Sequence, residues 1–228
     1  MPVHLQREME RLKKKLLGLS AFVEENLLLA LRSLEERDRA LAEEVRARDL
    51  QVDRMEVEIE EDCLKILALH QPVAIDLRFV VAVLKINNDL ERIGDQAVNI
   101  ANKVKAIGER GEVLAVVDLR LILMKARRML REALDSLVRM DVALARAVCA
   151  ADDEVDTLKR EAREKVEAAL RATPERAASL LSALGAVRNL ERIADLSTNI
   201  AEDVLYMAEG RIVRHRDGRP PEAEAEGE

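Results

Sequence analysis

The sequence predicts an all-α protein: two tandem three-helix bundles related by an internal pseudo-twofold repeat. Three observations predict it. Residues 89–101 read DLERIGDQAVNIA and residues 189–201 read NLERIADLSTNIA, identical at eight of thirteen positions. A duplication at this offset divides the 228-residue chain into units of about 100 residues, each large enough to bury a core. The composition is that of long helices, with no Trp, one Tyr, two Phe and 36% charged residues. The helix breakers are few, and proline is absent from residues 3–71 and 73–173.

Taken in order, the first helix is expected at roughly 4–35 and the second at 38–69, with Arg37-Asp38 as the break between them. The third is expected at 72–108, with Pro72 in its first turn. Gly108 and Gly111 mark the boundary between the halves. The fourth is expected at 112–139 and the fifth at 141–171, separated at Met140-Asp141. The sixth is expected at 174–209, with Thr173 as N-cap, Pro174 in its first turn and Gly210 as its stop. Helices of this length span about 45 Å, and connections this short make neighbours antiparallel. Leu90, Ile93, Ala97, Ile100 and Val104 recur at spacings of 3 and 4, and Leu190, Ile193 and Ile200 share that register. Val45, Val52, Met55 and Ile59 form the second helix's seam, matched by Val148, Val155, Leu158 and Ala162 in the fifth. The domain division is therefore 1–109, 110–214 and a disordered acidic tail at 215–228.

Charge and cysteine content narrow the function. A net charge of −7 speaks against a nucleic-acid binder, which carries a basic stripe. Cys63 and Cys149 are read as buried apolar residues in a reducing compartment, with no CxxC and no Cys/His cluster to bind zinc. His4, His70 and His215 are isolated. The longest apolar run, Leu27 to Leu31, is far below the roughly 20 residues of a membrane span, so a soluble cytoplasmic protein without direct membrane insertion is expected.

A core requires only apolar residues at the right period, so it does not account for the repeated polar positions. Glu91 and Asp95 recur as Glu191 and Asp195, one helical turn apart and off the seam. Like charges at this spacing repel by a few tenths of a kcal/mol, and a bound cation reverses the sign. The preceding helix of each half carries a matching pair in Asp-x-x-Val-Asp: Asp49 and Asp53, then Asp152 and Asp156. Counted from the hairpin turns near Gln71 and Thr173, the two pairs of each half lie at nearly equal distance, within about 3 Å of rise. Four carboxylates thus fall level on adjacent helices, twice. An all-oxygen set suits Mg²⁺, Mn²⁺, Ca²⁺ or iron and can bridge more than one ion. With no Glu-x-x-His motif and with the pairs facing outward, surface clusters are expected rather than a buried oxygen-activating centre. A solvated face is the plainer account of any single pair. Asn99 and Asn199, two turns beyond Glu91 and Glu191, are read as partners in an inter-helix or inter-repeat hydrogen bond, with a ligand role as the alternative.

At these residues the chain resembles the PhoU family, regulators that accompany bacterial phosphate transport. The resemblance is carried by QPVAIDLRFVVAVLKINNDLERIGDQAVNIA (71–101), by VRNLERIADLSTNIAEDV (187–204) and by the ending Glu209-Gly-Arg-Ile-Val-Arg-His215. It implies two three-helix bundles and multinuclear metal clusters of iron, zinc, manganese or magnesium at Asp49, Asp53, Glu91 and Asp95, and at Asp152, Asp156, Glu191 and Asp195. It implies a non-enzymatic role in phosphate regulation and transcription regulation, as a negative regulator of phosphate uptake. Its partners would be the phosphate ABC transporter ATPase and the phosphate sensor histidine kinase. It further implies a homodimer or larger assembly, peripheral to the inner membrane through those partners. Two departures make the halves unequal: Asp89 becomes Asn189, and the second half has no counterpart of Asp76-Leu77-Arg78. The competing readings are a metal-dependent phosphohydrolase, with Arg92 or Arg192 holding phosphate, and a structural bundle without metal.

Overall fold

The computed structural model describes residues 3–107 and 116–210. Among them are α1 (Val3–Glu36), α2 (Arg39–His70), α3 (Ala74–Ala101), the single turn α4 (Val104–Ile107), α5 (Leu119–Arg139), α6 (Val142–Ala172) and α7 (Ala177–Glu209). The expected glycine break at Gly108 and Gly111 and the tail at 215–228 lie outside the described residues.

The first hairpin turn of each half uses the same device. Arg37 and Met140 take left-handed backbones, with φ of 57° and 52°. The amide of the next residue, Asp38 or Asp141, then donates back to Ser33 O or Ser136 O at 2.9 Å, a Schellman closure. The same aspartate caps the following helix. Asp38 Oδ1 accepts from the amides of Ala40 and Leu41, and Asp141 Oδ1 from that of Leu144. Arg37-Asp38 and Met140-Asp141 are therefore the breaks that the sequence marks.

The second hairpin turns depart from expectation. Pro72 lies ahead of α3, buried in the link Gln71-Pro72-Val73. Gln71, at φ 45°, closes α2 by donating its amide to Leu67 O, and α3 begins at Ala74, whose own backbone is left-handed at φ 50°. Thr173 does not cap the last helix. Its hydroxyl and its amide both turn back to Ala169 O, at 2.9 and 2.8 Å, closing α6. Pro174 opens a 3-10 turn, Pro174–Arg176, that precedes α7. The third helix also ends at Ala101 rather than at 108. Lys103 tightens the backbone by donating to Ile100 O, while Arg46 of α2 holds Asn102 Oδ1 at 2.7 Å. Gly210 closes α7 in the left-handed region, as expected, at φ 69°.

The helices α1–α3 pack on one another, as do α5–α7, and α3 packs along α7 so that the two bundles share one core. The seam residues Leu90, Ile93, Ala97 and Ile100 are buried, as are Leu190, Ile193 and Ile200. The pseudo-twofold is visible where α3 crosses α7. Lys85 Nζ reaches Asp203 Oδ1 at 3.2 Å, and at the positions one repeat away Lys103 lies against Gly185. Both thiols are free. Cys63 is buried and its thiol is pushed up to about 12 by burial; Cys149 is only half-buried, and burial raises its thiol to about 11. Neither is a ready nucleophile.

Candidate metal centres

The paired carboxylates sit on helices whose opposite faces are fixed in the core. In α2, buried Val45, Val52 and Ile59 hold Asp49 half-buried and leave Asp53 exposed. In α3, buried Leu90 and Ile93 leave Glu91 half-buried and Asp95 exposed. The two helices approach closely because residue 94 is glycine: a Cβ there would meet Val52 Cγ1 at 3.2 Å and Asp49 Oδ1 at 3.5 Å. The second half places Asp152 and Asp156 on α6 and Glu191 and Asp195 on α7 in the same way, except that Asp195 is half-buried where Asp95 is exposed, and Ala194 replaces the glycine.

Their electrostatics show that the four groups of each half are brought together. The Asp49 carboxyl is pushed up to about 6, first by burial and then by the charges of Asp53 and Asp95. Glu91 is raised by burial, then by Asp95, Glu56, Asp53 and Asp49. Asp195 is pushed up to about 6 by burial, then by Glu191, Asp152 and Asp156. Asp152 is raised by burial, then by Asp156, Glu191 and Asp153. The donor set is therefore hard, anionic and self-repelling, which fits a multivalent cation. The side chains are spread along the helix faces: among the described residues no three His, Cys, Asp or Glu side chains already converge into an ion cage. A cation would have to gather them by rotamer changes.

Two members of the sites are absent from the sequence reading. Glu56 follows Asp53 by three residues, and Lys159 follows Asp156 by three. Lys159 donates to Glu191 and lies 3.4 Å from Asp156 Oδ1. Aligning DLQVDRME (49–56) with DDEVDTLK (152–159) would have found both. The expected hydrogen bonds from Asn99 and Asn199 are absent among the described residues. Asn87 supplies such a link instead, donating to Glu56 O at 2.9 Å. Arg92 reaches Asp89 at 3.4 Å, and with Arg192, Thr198, Asn199, Asp152 and Asp195 it lines a cleft of about 320 Å³ between the repeats.

The raised carboxyls fix a pH dependence for the metal-free protein. A carboxylate raised in the native state binds protons more tightly there than in the unfolded chain. The contribution of these carboxyls to stability is therefore full below the ordinary aspartate range near 4, and is lost as pH rises through about 6. Half-exposure screens the effect to about 1 kcal/mol per site. The charges facing these groups are Asp53, Glu56, Glu91 and Asp95 in one half, and Asp152, Asp156, Glu191 and Lys159 in the other. Glu154, lowered by Lys125, acts oppositely but below the ordinary glutamate range. Chelator-treated protein should melt at a higher temperature at pH 5 than at pH 7.5. Asp49→Asn with Asp195→Asn should flatten that difference; an unchanged difference would contradict the account.

A duplicated helical-bundle scaffold with paired carboxylates on the outer faces of its hairpins defines the class to which this protein belongs. Comparison with known proteins makes the class particular. The sequence model described as the PhoU domain matches residues 16–104 and again residues 119–204. The chain is 38% identical to a phosphate-specific transport system accessory protein PhoU homolog of Pseudomonas putida, over 96% of this chain and 86% of that one. It is 32% identical to a homolog of the same description from Aquifex aeolicus, over 93% and 96%. The crystal structure of PhoU from Pseudomonas aeruginosa superposes with a TM-score of 0.85 at 35% identity, covering 90% of this chain and 99% of that chain. The chain belongs to the PhoU family.

Proposed function

We propose that this protein is an accessory regulator of a phosphate transport system, a negative regulator of phosphate uptake and of the phosphate regulon. It works as an interaction protein rather than as an enzyme. In this reading it docks by its helix faces between the phosphate ABC transporter ATPase and its sensor histidine kinase at the cytoplasmic side of the inner membrane. The family match in both repeats and the naming of the relatives as accessory proteins of phosphate transport support that role. Among the described residues no helix is long and apolar enough to cross a membrane, so attachment through partners fits the fold. The α2–α3 turn offers a docking surface, with Leu69, Val73, Ile75 and Leu77 exposed beside Asp76.

Metal ions complete the proposal. Asp49, Asp53, Glu91 and Asp95 would hold cations in the first half, and Asp152, Asp156, Glu191 and Asp195 in the second. Bound iron, zinc, manganese or magnesium would supply positive charge that fixes each hairpin face for docking. The single observation that carries the cation reading is that burial, added to by the charges of neighbouring carboxylates in the same half, pushes Asp49 and Asp195 each up to about 6. Elemental analysis of protein purified without added metal, beside an Asp95→Ala/Asp195→Ala variant, tests it. The wild type should retain at least one ion per chain and the variant should lose most of it. Equal, negligible metal in both would remove the cation role. Capture from phosphate-replete membranes tests the partners: the transporter ATPase should be retained by the wild type.

A further inference from the structure

The outer face of α2 carries a line of residues that the fold leaves uncovered. Buried Val45, Val52, Ile59, Cys63 and Ile66 turn the opposite face of the helix to α1 and α3. Away from them, Leu50, Arg54, Val57, Glu61 and Leu64 are all exposed, and Ala47 and Ala68 extend the line at its two ends. The spacings alternate between 3 and 4, the seam of a heptad coiled coil. Its aliphatic members lie one heptad apart: Leu50 is 61% exposed, Val57 48% and Leu64 54%. A single exposed leucine is ordinary, but an aligned row of three aliphatic side chains marks a contact surface.

The second half has the same helix without the row. In the alignment that equates Asp49 with Asp152 and Asp53 with Asp156, the places of Leu50, Val57 and Leu64 are taken by Asp153, Arg160 and Glu167. These are exposed too, and charged side chains serve there. The shared scaffold therefore does not demand aliphatic residues on this face. The polar members of the row say what covers it on α2. Arg54 stands three residues before Val57, and Glu61 four after it. When two α2 helices lie antiparallel with their centres at Val57, Leu50 of one comes level with Leu64 of the other. Arg54 then comes level with Glu61 to within one residue's rise, about 1.5 Å. A parallel pairing would set Arg54 against Arg54 and Glu61 against Glu61. Within the chain Glu61 has a 3.9 Å contact to Lys65, and Arg54 makes no ion pair among the described residues.

We infer that the outer face of α2 is the surface by which two copies of this chain pair, antiparallel about a twofold axis beside Val57. The row is complementary to itself only in that direction, which is why the occupant is a second copy. A twofold contact uses each copy's row once and closes. Because α6 offers no second row, assembly through this surface stops at two. The family resemblance implies a homodimer or a larger assembly; the row assigns the face, the direction and the limit. The contact, about 32 Å long, lies at the small end of specific interfaces. Exposed acids flank it, Asp53 and Glu60 among them, and repel across the pair. Pairing is therefore weak, in the micromolar range, and it is independent of any bound cation.

The test is sedimentation equilibrium of chelator-treated full-length protein, with circular dichroism confirming the helical fold of each variant. Wild type should pass from monomer to dimer, and no further, as its concentration rises through the micromolar range. Val57→Arg sets two like charges beside the axis and should weaken pairing by about tenfold or more. Arg54→Glu should weaken it comparably, and Arg54→Glu/Glu61→Arg should recover most of the loss. Arg160→Glu, at the equivalent place on α6, should leave pairing unchanged. Thiol cross-linking then reads the direction, in a Cys149→Ser background where Cys63 is buried. Val57→Cys should cross-link to itself through a short bifunctional reagent. Leu50→Cys and Leu64→Cys should each fail alone and succeed when mixed, since identical positions lie about 21 Å apart along the axis. A monomer at every concentration up to millimolar would overturn the inference. So would a dimer unmoved by Val57→Arg, or a Leu50→Cys variant that cross-links to itself as readily as Val57→Cys does.

Discussion

Ile193→Ala should cost the protein about 3 kcal/mol of stability, read as a fall in the denaturation midpoint, while Arg192→Ala beside it should change stability by less than about 0.5 kcal/mol. The two residues are neighbours in the repeated Leu-Glu-Arg-Ile-x-Asp, and the structure separates their roles. Ile193 is fully buried in the core shared by the bundles, and Arg192 is exposed. Removing three carbons from Ile193 forfeits their transfer free energy and leaves a cavity in the middle of α7, where long helices on either side resist collapse. Ile93→Ala should act alike, since Ile93 occupies the equivalent place and is equally buried. Ile193→Val removes one methyl group and should cost about 1 kcal/mol. An Ile193→Ala cost no larger than that of Arg192→Ala would mean that the motif is not anchored by its apolar positions.

That division explains why the fold was legible in the sequence. The spacing of Leu90, Ile93, Ala97 and Ile100 requires a helix with one apolar face, and off-seam positions such as Glu91 and Asp95 then point outward by geometry alone. Hairpin counting works because the rise per residue is constant along a helix, so equal distances from a turn give equal heights. Helix ends were less legible because they depend on local hydrogen bonds that compete. Thr173 has the residue type of an N-cap, yet its hydroxyl finds Ala169 O first. Pro72 has the residue type of a first turn, yet the left-handed Gln71 before it sets the chain direction.

The candidate site was legible as far as its repeated residues and no further. Glu56 and Lys159 differ in type, so a search for identity between the halves passes over them. Their offset of 103 also differs from the offset of 100 that joins Glu91 to Glu191. The change of offset arises within the helices of the hairpins, since the α2–α3 link, 71–73, is no longer than the α6–α7 link, 173–176. Asn99 and Asn199 illustrate the converse: identity in both halves without a hydrogen bond in either among the described residues. Repetition locates positions under a common geometric demand, and only burial and partner chemistry say what the demand is.

Lys85→Met should destabilise the protein by about 3 kcal/mol, because it strips a buried carboxylate of its ammonium. Asp203 is 1% exposed, in α7, and Lys85 of α3 reaches it at 3.2 Å while lying 5.1 Å from the centre of the Tyr206 ring. The pair joins the first bundle to the second. At the equivalent crossing the chain places Lys103 against Gly185, so this charge pair is made once rather than twice. Asp203 is buried and Lys85 half-exposed, so their attraction is largely offset by desolvation of the carboxylate and by solvent screening of the ammonium, and the pair itself contributes modestly. The large cost belongs to breaking it on one side only. The double variant Lys85→Met/Asp203→Leu, which removes both charges and keeps apolar volume, should therefore recover most of the loss. Chemical denaturation of the wild type, both single variants and the double variant closes the cycle. A double variant as unstable as the sum of the singles would show that the two residues act independently, and that α3 and α7 are held together by their apolar faces alone.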